Sequence, residues 1–499
     1  MPKRGLIPGA YFILANLKPQ IKALVFYSLI FVAALPAFLI PIRNPDLFWG
    51  FSAARWALIH RAFPRFDFWS WSNPQAPWID FEWLSQLIFL SLYKIGGWKA
   101  LLLLKSLLLF LGWIPIETCL RQKRVETSLI ISVFLLWAAT SISHSDLRPE
   151  LFSLIFFAWV LLTLEIDRQN PNILNSKISW GFFGIFILWS NLHAGFIFGE
   201  ALIGIYAFFR LLYREIPEFK KIFLWGISAF LGTLINPYGI GPYQVALIHL
   251  KENSALNSIA EWGPFNFLPP SHWPTDVVFL LLLLALAVTL LSQPNQIDLK
   301  KNSPILCLIL FLSLLTLERR RIAPYFVIAF LMAGGSWLKE MRLKEKYALN
   351  GSFIIALGSI FFIWSFWTSS IKNFPFDGRL LPEKATTFIS QHNSLSKLRF
   401  YNPWEWGGYL SWKLRPRFKV YCDGRYIFHD LLLAQKKALL SPKNWGEFLD
   451  SQKINAALIP HLKQPSSWYS LLMPESKWTL VYEDPTALLF VRKNYASSP

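Results

Sequence analysis

Cysteine is scarce in this chain. Cys119, Cys307 and Cys422 show no Cys-x-x-Cys or other metal-ligand spacing, and two of them fall in or beside long apolar runs. That pattern excludes a disulfide framework and a zinc site. Charge is scarce too: Asp, Glu, Lys and Arg make up 16% of the residues against 54% hydrophobic ones. An ordinary soluble domain carries about 25% charged residues. Mean hydropathy is +0.38, so the composition excludes a soluble globule and points to a multi-span helical membrane protein. Acid is the rarer sign, with 30 Asp and Glu against 49 Lys and Arg and a net charge of +19. The excess base is assigned to cytoplasmic loops, and no nucleic-acid partner is expected.

What is abundant is apolar and aromatic. The 24 Trp and 16 Tyr suit aromatic belts at two interfaces. Met1 to Lys22 is mixed and basic, and the apolar run that follows, Ala23 to Ile42, has full spanning length, so it is read as a retained first helix rather than a cleaved signal. Runs of about 20 residues predict about eleven spans, near 22–42, 98–118, 127–143, 150–166, 179–194, 196–213, 222–236, 276–292, 304–318, 322–338 and 351–368. The stretch 83–95 is too short to span and ends at Gly96-Gly97, so it is read as an interfacial helix within an exterior loop, 43–97. With a cytoplasmic N-terminus, Arg121, Lys123, Arg124, Arg168, Lys177, Arg214, Lys220, Lys221, Lys300, Lys301, Lys339, Arg342, Lys344 and Lys346 all fall inside, as the positive-inside bias requires.

The same parity places the polar clusters on the other side. Asp46, Asp80, Glu82, His144 to Glu150, Asn191 to His193, Asn236 to Gly239, Glu261-Trp262 and Arg319 to Arg321 all lie at exterior ends of spans. Each has a plain alternative as a turn, a cap or a headgroup anchor. Carboxylates among Trp and Pro at the mouth of a span are costly unless used, and together these clusters point to one polar site. Residues 1–370 form the membrane domain in this reading. Residues 371–499 form an exterior α/β domain, with helices at 382–391, 430–440 and 443–452 and strands at 418–421, 455–459, 479–482 and 487–491. Two segments of it carry candidate site residues: Trp404 and Glu405 beside Gly407-Gly408, and Asp423-Gly424-Arg425.

At these residues the chain resembles the GT-C class of integral-membrane glycosyltransferases, which use polyprenyl-phosphate-linked sugars. In that class an Asp follows the first helix, as Asp46 does. The oligosaccharyltransferase catalytic subunit has a second acidic motif after its third helix, where Ser145-Asp146-Leu147-Arg148-Pro149-Glu150 stands here. It also has a Trp-Trp-Asp-Tyr-Gly motif opening its exterior domain, where Pro403-Trp404-Glu405-Trp406-Gly407-Gly408-Tyr409 and then Asp423 have a similar order with different letters. The departure removes any requirement for a sequon peptide.

The resemblance implies a membrane glycosyltransferase in a bacterial plasma (inner) membrane, with a polyprenyl-phosphate-linked sugar donor and a glycan, lipid or protein acceptor. Asp46 is the expected base. Arg319, Arg320 and Arg321, with Arg148 in reserve, are expected at the leaving phosphate. Asp80, Glu82, Asp146 and Glu150 are candidate oxygen ligands for Mg²⁺ or Mn²⁺, with Asp46 and Asp146 the narrower metal pair. His144 and His193 are candidate hydrogen-bond partners of sugar or phosphate, and Trp49, Trp83 and Trp404 candidate stacking faces. A transporter and a non-catalytic scaffold are the rival readings; a transporter would bury charge mid-span, where Lys105 is the clearest candidate.

Overall fold

A computed structural model describes residues 19–144, 146–251, 253–259, 261–265, 273–292, 298–340, 345–461 and 477–496. Ser145 and the side chain of His144 lie outside the described residues. The architecture is predominantly helical, with one small sheet near the C-terminus. Among the described residues three helices are long and apolar enough to cross a membrane: Trp83–Gln122, Lys300–Glu318 and Phe353–Asn373. Shorter apolar helices run over Tyr27–Phe38, Thr127–Ile142 and Ile178–Leu192.

The stretch 83–95 and the run after it form one 40-residue element, Trp83–Gln122, interrupted at Gly96 and Gly97. Gly97 adopts φ 60° and ψ −149°, a conformation essentially closed to residues with a Cβ, and this is where the helix breaks. A second helix in the same loop, Asp46–His60, has no counterpart among the expected elements. Its hydrophobic pattern is weak because Leu47, Phe48, Gly50, Phe51, Ser52, Ala53 and Ala54 are buried on nearly all sides.

The C-terminal region carries four strands in the order β1 (Phe400–Tyr401), β2 (Ala456–Pro460), β4 (Ala487–Arg492), β3 (Trp478–Glu483). β1 runs parallel to β2, and β4 pairs antiparallel with both β2 and β3. The expected strand at 418–421 is not one of them. Val420 instead makes a single bridge to Ser70, donating to the Trp69 carbonyl at 3.0 Å and accepting from Trp71 N at 3.0 Å. The 43–97 loop thus takes the ladder position that a strand would have filled.

Loop and C-terminal region also share a core, in which Ala53, Trp69 and Trp78 pack with Leu410, Val420, Leu458 and Val491. Gly407-Gly408 lies inside a helix, Trp404–Leu414. A Cβ at Gly407 would strike the Cys422 carbonyl, and one at Gly408 would lie 3.1 Å from Trp49 N. The paired glycines let this helix wedge between the Asp46 helix and the 420–423 segment.

Candidate active site

The segment that delivers Asp46 is held from four directions. Ile42 N donates to the Pro375 carbonyl at 3.1 Å, and Asp377 N to the Ile42 carbonyl at 2.8 Å. Asn44 Nδ2 donates to the Leu147 carbonyl at 3.0 Å, while its Oδ1 accepts from Asp46 N at 3.0 Å. Lys105, fully buried, donates to the Ile40 carbonyl. Its ammonium therefore fastens the chain just upstream of Asp46 and lies at no open midplane site. Asp146 accepts from Arg43 N at 3.1 Å and Leu147 N at 2.9 Å. The carboxylate, expected in a catalytic and metal-ligating role, here clamps two main-chain amides and positions the Asp46 segment.

Asp46 opens its helix, where the dipole favours an anion. It lines a cavity of about 20 Å³ with Asn44, Trp49, Glu82, Gln86 and Pro149, room for roughly one water. Burial pushes its pKa up to about 6, opposed chiefly by the Arg148 guanidinium and reinforced by Glu261. Glu82 is pushed to about 8 by burial and by the Asp80 carboxylate. Asp80, 3% exposed, accepts from Gln86 Nε2 at 2.7 Å, and burial raises it to about 7. Three carboxylates so placed cannot all ionise near neutrality, so a proton is retained among them.

Facing them is a cationic cluster. Arg321 donates from Nε to Glu150 Oε2 at 2.9 Å and from Nη1 to Glu261 Oε1 at 2.9 Å, and its guanidinium lies 4.8 Å from the Trp262 ring centre. Arg148 pairs with the same Glu261 oxygen. Burial opposes the Arg148 charge, but Glu261, Asp46 and Asp146 outweigh it and hold the guanidinium firmly protonated.

The expected row of three arginines splits. Arg319 turns outward to Asn257 Oδ1 and the Trp262 carbonyl, Arg320 lies 3.5 Å from Asp276, and Arg321 alone joins Arg148 at the site. Arg319 lies between the preceding helix and a 3₁₀ turn, Arg320–Ile322, that Arg320 and Arg321 open, and the three side chains leave in different directions. Glu150, expected among the metal ligands, is the partner of Arg321 here. Glu261 and Trp262 were legible only as a polar pair at a span end; nothing in the sequence indicated that Glu261 would bridge two arginines.

His193 closes the other side. Its Nδ1 accepts from Gly195 N at 3.1 Å and lies 2.7 Å from Ser153 Oγ, which also accepts from Trp189 Nε1. Because a backbone N–H can only donate, Nδ1 is the acceptor, and the remaining ring proton sits on Nε2. That nitrogen is 3.8 Å from Glu82 Oε1, a gap wider than a hydrogen bond. Next door, Trp83 Nε1 donates to Asn191 Oδ1 at 2.8 Å, so Trp83 is held at the rim of the site.

The C-terminal candidates behave differently. Arg425, 2% exposed, donates to Asp423 Oδ1 at 2.8 Å and Asp67 Oδ1 at 2.6 Å, and Trp69 Nε1 donates to Asp423 Oδ2 at 2.6 Å. The guanidinium lies over the Trp69 and Trp78 rings, 3.9 and 4.7 Å from their centres, where the two rings meet edge to face. Asp423 and Arg425, expected to bind substrate, are buried here, and the pair ties the 43–97 loop to the C-terminal region. Between them Gly424 faces Asp46, and a Cβ there would overlap Asp46 Oδ1. Trp404 stacks on His429 with centroids 5.9 Å apart, and Glu405 is exposed in the first turn of its helix. Neither reaches the carboxylate cluster. Among the described residues no three of His, Cys, Asp or Glu gather in a group that could hold a metal ion.

No protein-family model matches this chain, and no curated protein does. A solved structure does: the crystal structure of ArnT from Cupriavidus metallidurans bound to undecaprenyl phosphate. It aligns with a TM-score of 0.51 over 95% of this chain and 98% of that one, at 12% identity. At that identity the likeness is one of fold, and it extends over the whole chain. The chain is a membrane protein with the GT-C fold.

Proposed function

We propose that this chain is a membrane glycosyltransferase that moves a sugar from a polyprenyl-phosphate donor to an acceptor on the outer face of the membrane. The observation that carries this reading is the juxtaposition of Asp46 with the Arg148–Glu261–Arg321 network, within a fold shared end to end with a protein solved with undecaprenyl phosphate.

An acceptor hydroxyl in the Asp46 cavity attacks the anomeric carbon of the donor. Its proton passes to an Asp46 carboxylate oxygen as the new C–O bond forms. The bond from the anomeric carbon to the phosphate oxygen breaks, and the lipid phosphate leaves with the electron pair. Arg148 and Arg321 meet that charge with forked donors. Glu150 and Glu261 keep the two guanidinium groups aimed while the site is empty of phosphate. His193 Nε2–H and the protonated member of the Asp80–Glu82 pair are donors for sugar hydroxyls.

The residues fit a divalent cation poorly, since Asp146 is committed to main-chain amides, Asp80 to Gln86 and Glu150 to Arg321. The step is therefore written without one. The sugar and the acceptor are named by experiment. Lipid-linked sugars and surface glycans are compared by mass spectrometry in cells lacking the protein and in cells complemented with wild type or Asp46→Asn. The reading requires one polyprenyl-phosphate sugar to accumulate, or one glycan residue to vanish, on deletion, with no rescue by Asp46→Asn. Full rescue by Asp46→Asn would instead favour a scaffold or a transporter.

A further inference from the structure

A second cationic site lies on the same helix as Asp46, at its far end. Arg55 stands nine residues beyond Asp46, about 13 Å along the axis at 1.5 Å per residue. Its guanidinium lies 4.5 Å from the Trp412 ring centre, and its Nη2 is 3.5 Å from the Trp412 carbonyl. Arg415, three residues after Trp412, lies 4.9 Å from the Phe68 ring centre. Phe68 in turn packs on Trp56, with centroids 4.7 Å apart. Two half-buried guanidinium groups, near enough for the charge of one to act on the other, thus lie over aromatic rings of the 43–97 loop and the Trp404–Leu414 helix.

Among the described residues neither arginine makes an ion pair. The carboxylate that acts on Arg415 is Asp67, and Asp67 is already taken by Arg425 at 2.6 Å. Burial disfavours both charges, and the Arg55 charge weighs further against Arg415. Two like charges held together over a desolvating surface, with no anion of the protein's own, are a costly arrangement that a bound anion would repair.

The surroundings say which anion. Leu58 and Ile59, at the end of the Arg55 helix, are 52% and 68% exposed, and Phe66 and Ile95 are 55% and 81% exposed. Exposed Lys94 flanks Ile95. Cations beside uncovered apolar side chains make the boundary of a lipid leaflet. From this geometry we infer that Arg55 and Arg415 form a phosphate site for the headgroup of an anionic membrane lipid, separate from the Asp46 cavity. Each guanidinium offers two parallel N–H donors to the phosphate oxygens, while the acyl chains lie along Leu58, Ile59 and Ile95.

The test is a binding experiment and needs no activity, so its failure leaves the glycosyltransferase reading where it stands. The detergent-solubilised full chain is titrated with short-chain phosphatidylglycerol, short-chain phosphatidylcholine or inorganic phosphate, following thermal unfolding. Phosphatidylglycerol is expected to stabilise wild type in a saturable way, and phosphatidylcholine is not. Arg55→Gln with Arg415→Gln should weaken the phosphatidylglycerol response about tenfold or more, and Arg55→Lys with Arg415→Lys should recover part of it. Equal responses to the two lipids in wild type would overturn the site without recourse to a variant. An undiminished response in a folded Gln variant would do the same. A response to inorganic phosphate as strong as that to phosphatidylglycerol would make it a free-phosphate site and overturn the lipid assignment.

Discussion

Gly424 is pressed against Asp46: a Cβ at position 424 would overlap the Asp46 Oδ1 oxygen and come within 3.4 Å of Trp49 Nε1. The residues are 378 apart in sequence, so the C-terminal region packs directly against the carboxylate that the 43–97 loop presents to the cavity.

Gly424→Ala should therefore displace the Asp46 carboxylate without emptying the core. Misplacement of a reacting group by about 1 Å can cost around 10²-fold in rate. Sugar transfer is expected to fall by that order while the thermal unfolding midpoint moves little. Gly407→Ala makes the contrast, because its Cβ would meet the Cys422 backbone carbonyl, which cannot swing aside; it should lower the unfolding midpoint or abolish accumulation of the protein.

The raised carboxylates make stability depend on pH. Glu82 at about 8 and Asp80 at about 7 stand above their unfolded values of roughly 4. The native state thus binds more protons than the unfolded one between those limits, and stability present at acid pH is lost as pH rises toward 8. Glu82→Gln should flatten that decline and raise the unfolding midpoint at pH 8 relative to wild type. Transfer itself should rise with pH through about 6 as Asp46 ionises. Midpoints and rates collected from pH 5 to 9 check both slopes, and a stability that climbs over this range would contradict the assignment.

Arg321 and Arg319 provide a paired comparison. Arg321→Gln removes a donor from the phosphate cluster and should lower transfer by roughly 10²-fold, the usual cost of losing one preorganised donor. Arg319 points to Asn257 and the Trp262 carbonyl, so Arg319→Gln should leave the rate within about twofold. Equal losses from the two variants would mean that both arginines serve the same function.

Arg425→Leu should act on stability first. It leaves Asp67 and Asp423 buried without their cation, a loss of about 3–5 kcal/mol for a broken buried pair. The triple change Asp67→Asn, Asp423→Asn, Arg425→Leu should recover part of it. Unfolding midpoints across the series measure the difference.

The membrane class, the helix break at Gly96-Gly97 and three of the four strands found among the described residues could be read directly, because each rests on a local signal: run length, a residue lacking Cβ, or a short apolar stretch. The Asp46–His60 helix could not, since burial on nearly all sides removes the amphipathic pattern by which a helix is recognised. Val420 reads as strand and is extended, yet its partner is Ser70, some 350 residues away. Asp423-Gly424-Arg425 reads as a surface motif because charged residues are usually exposed. Here Trp69, Trp78 and Asp67 supply the contacts that make burial tolerable.

Composition and run length alone determined that this is a membrane protein, and the order of acidic and basic motifs along the chain determined its resemblance to GT-C enzymes. The first follows from short-range physics, the cost of placing apolar residues in water and charged ones in lipid. Only the tertiary structure decided that Asp146 serves main-chain amides, that Arg321 enters the site while Arg319 leaves it, that Glu261 bridges two arginines and that Gly424 touches Asp46. A charged side chain's role depends on which opposite charge lies within about 4 Å of it, and chain folding, not sequence neighbourhood, sets that distance.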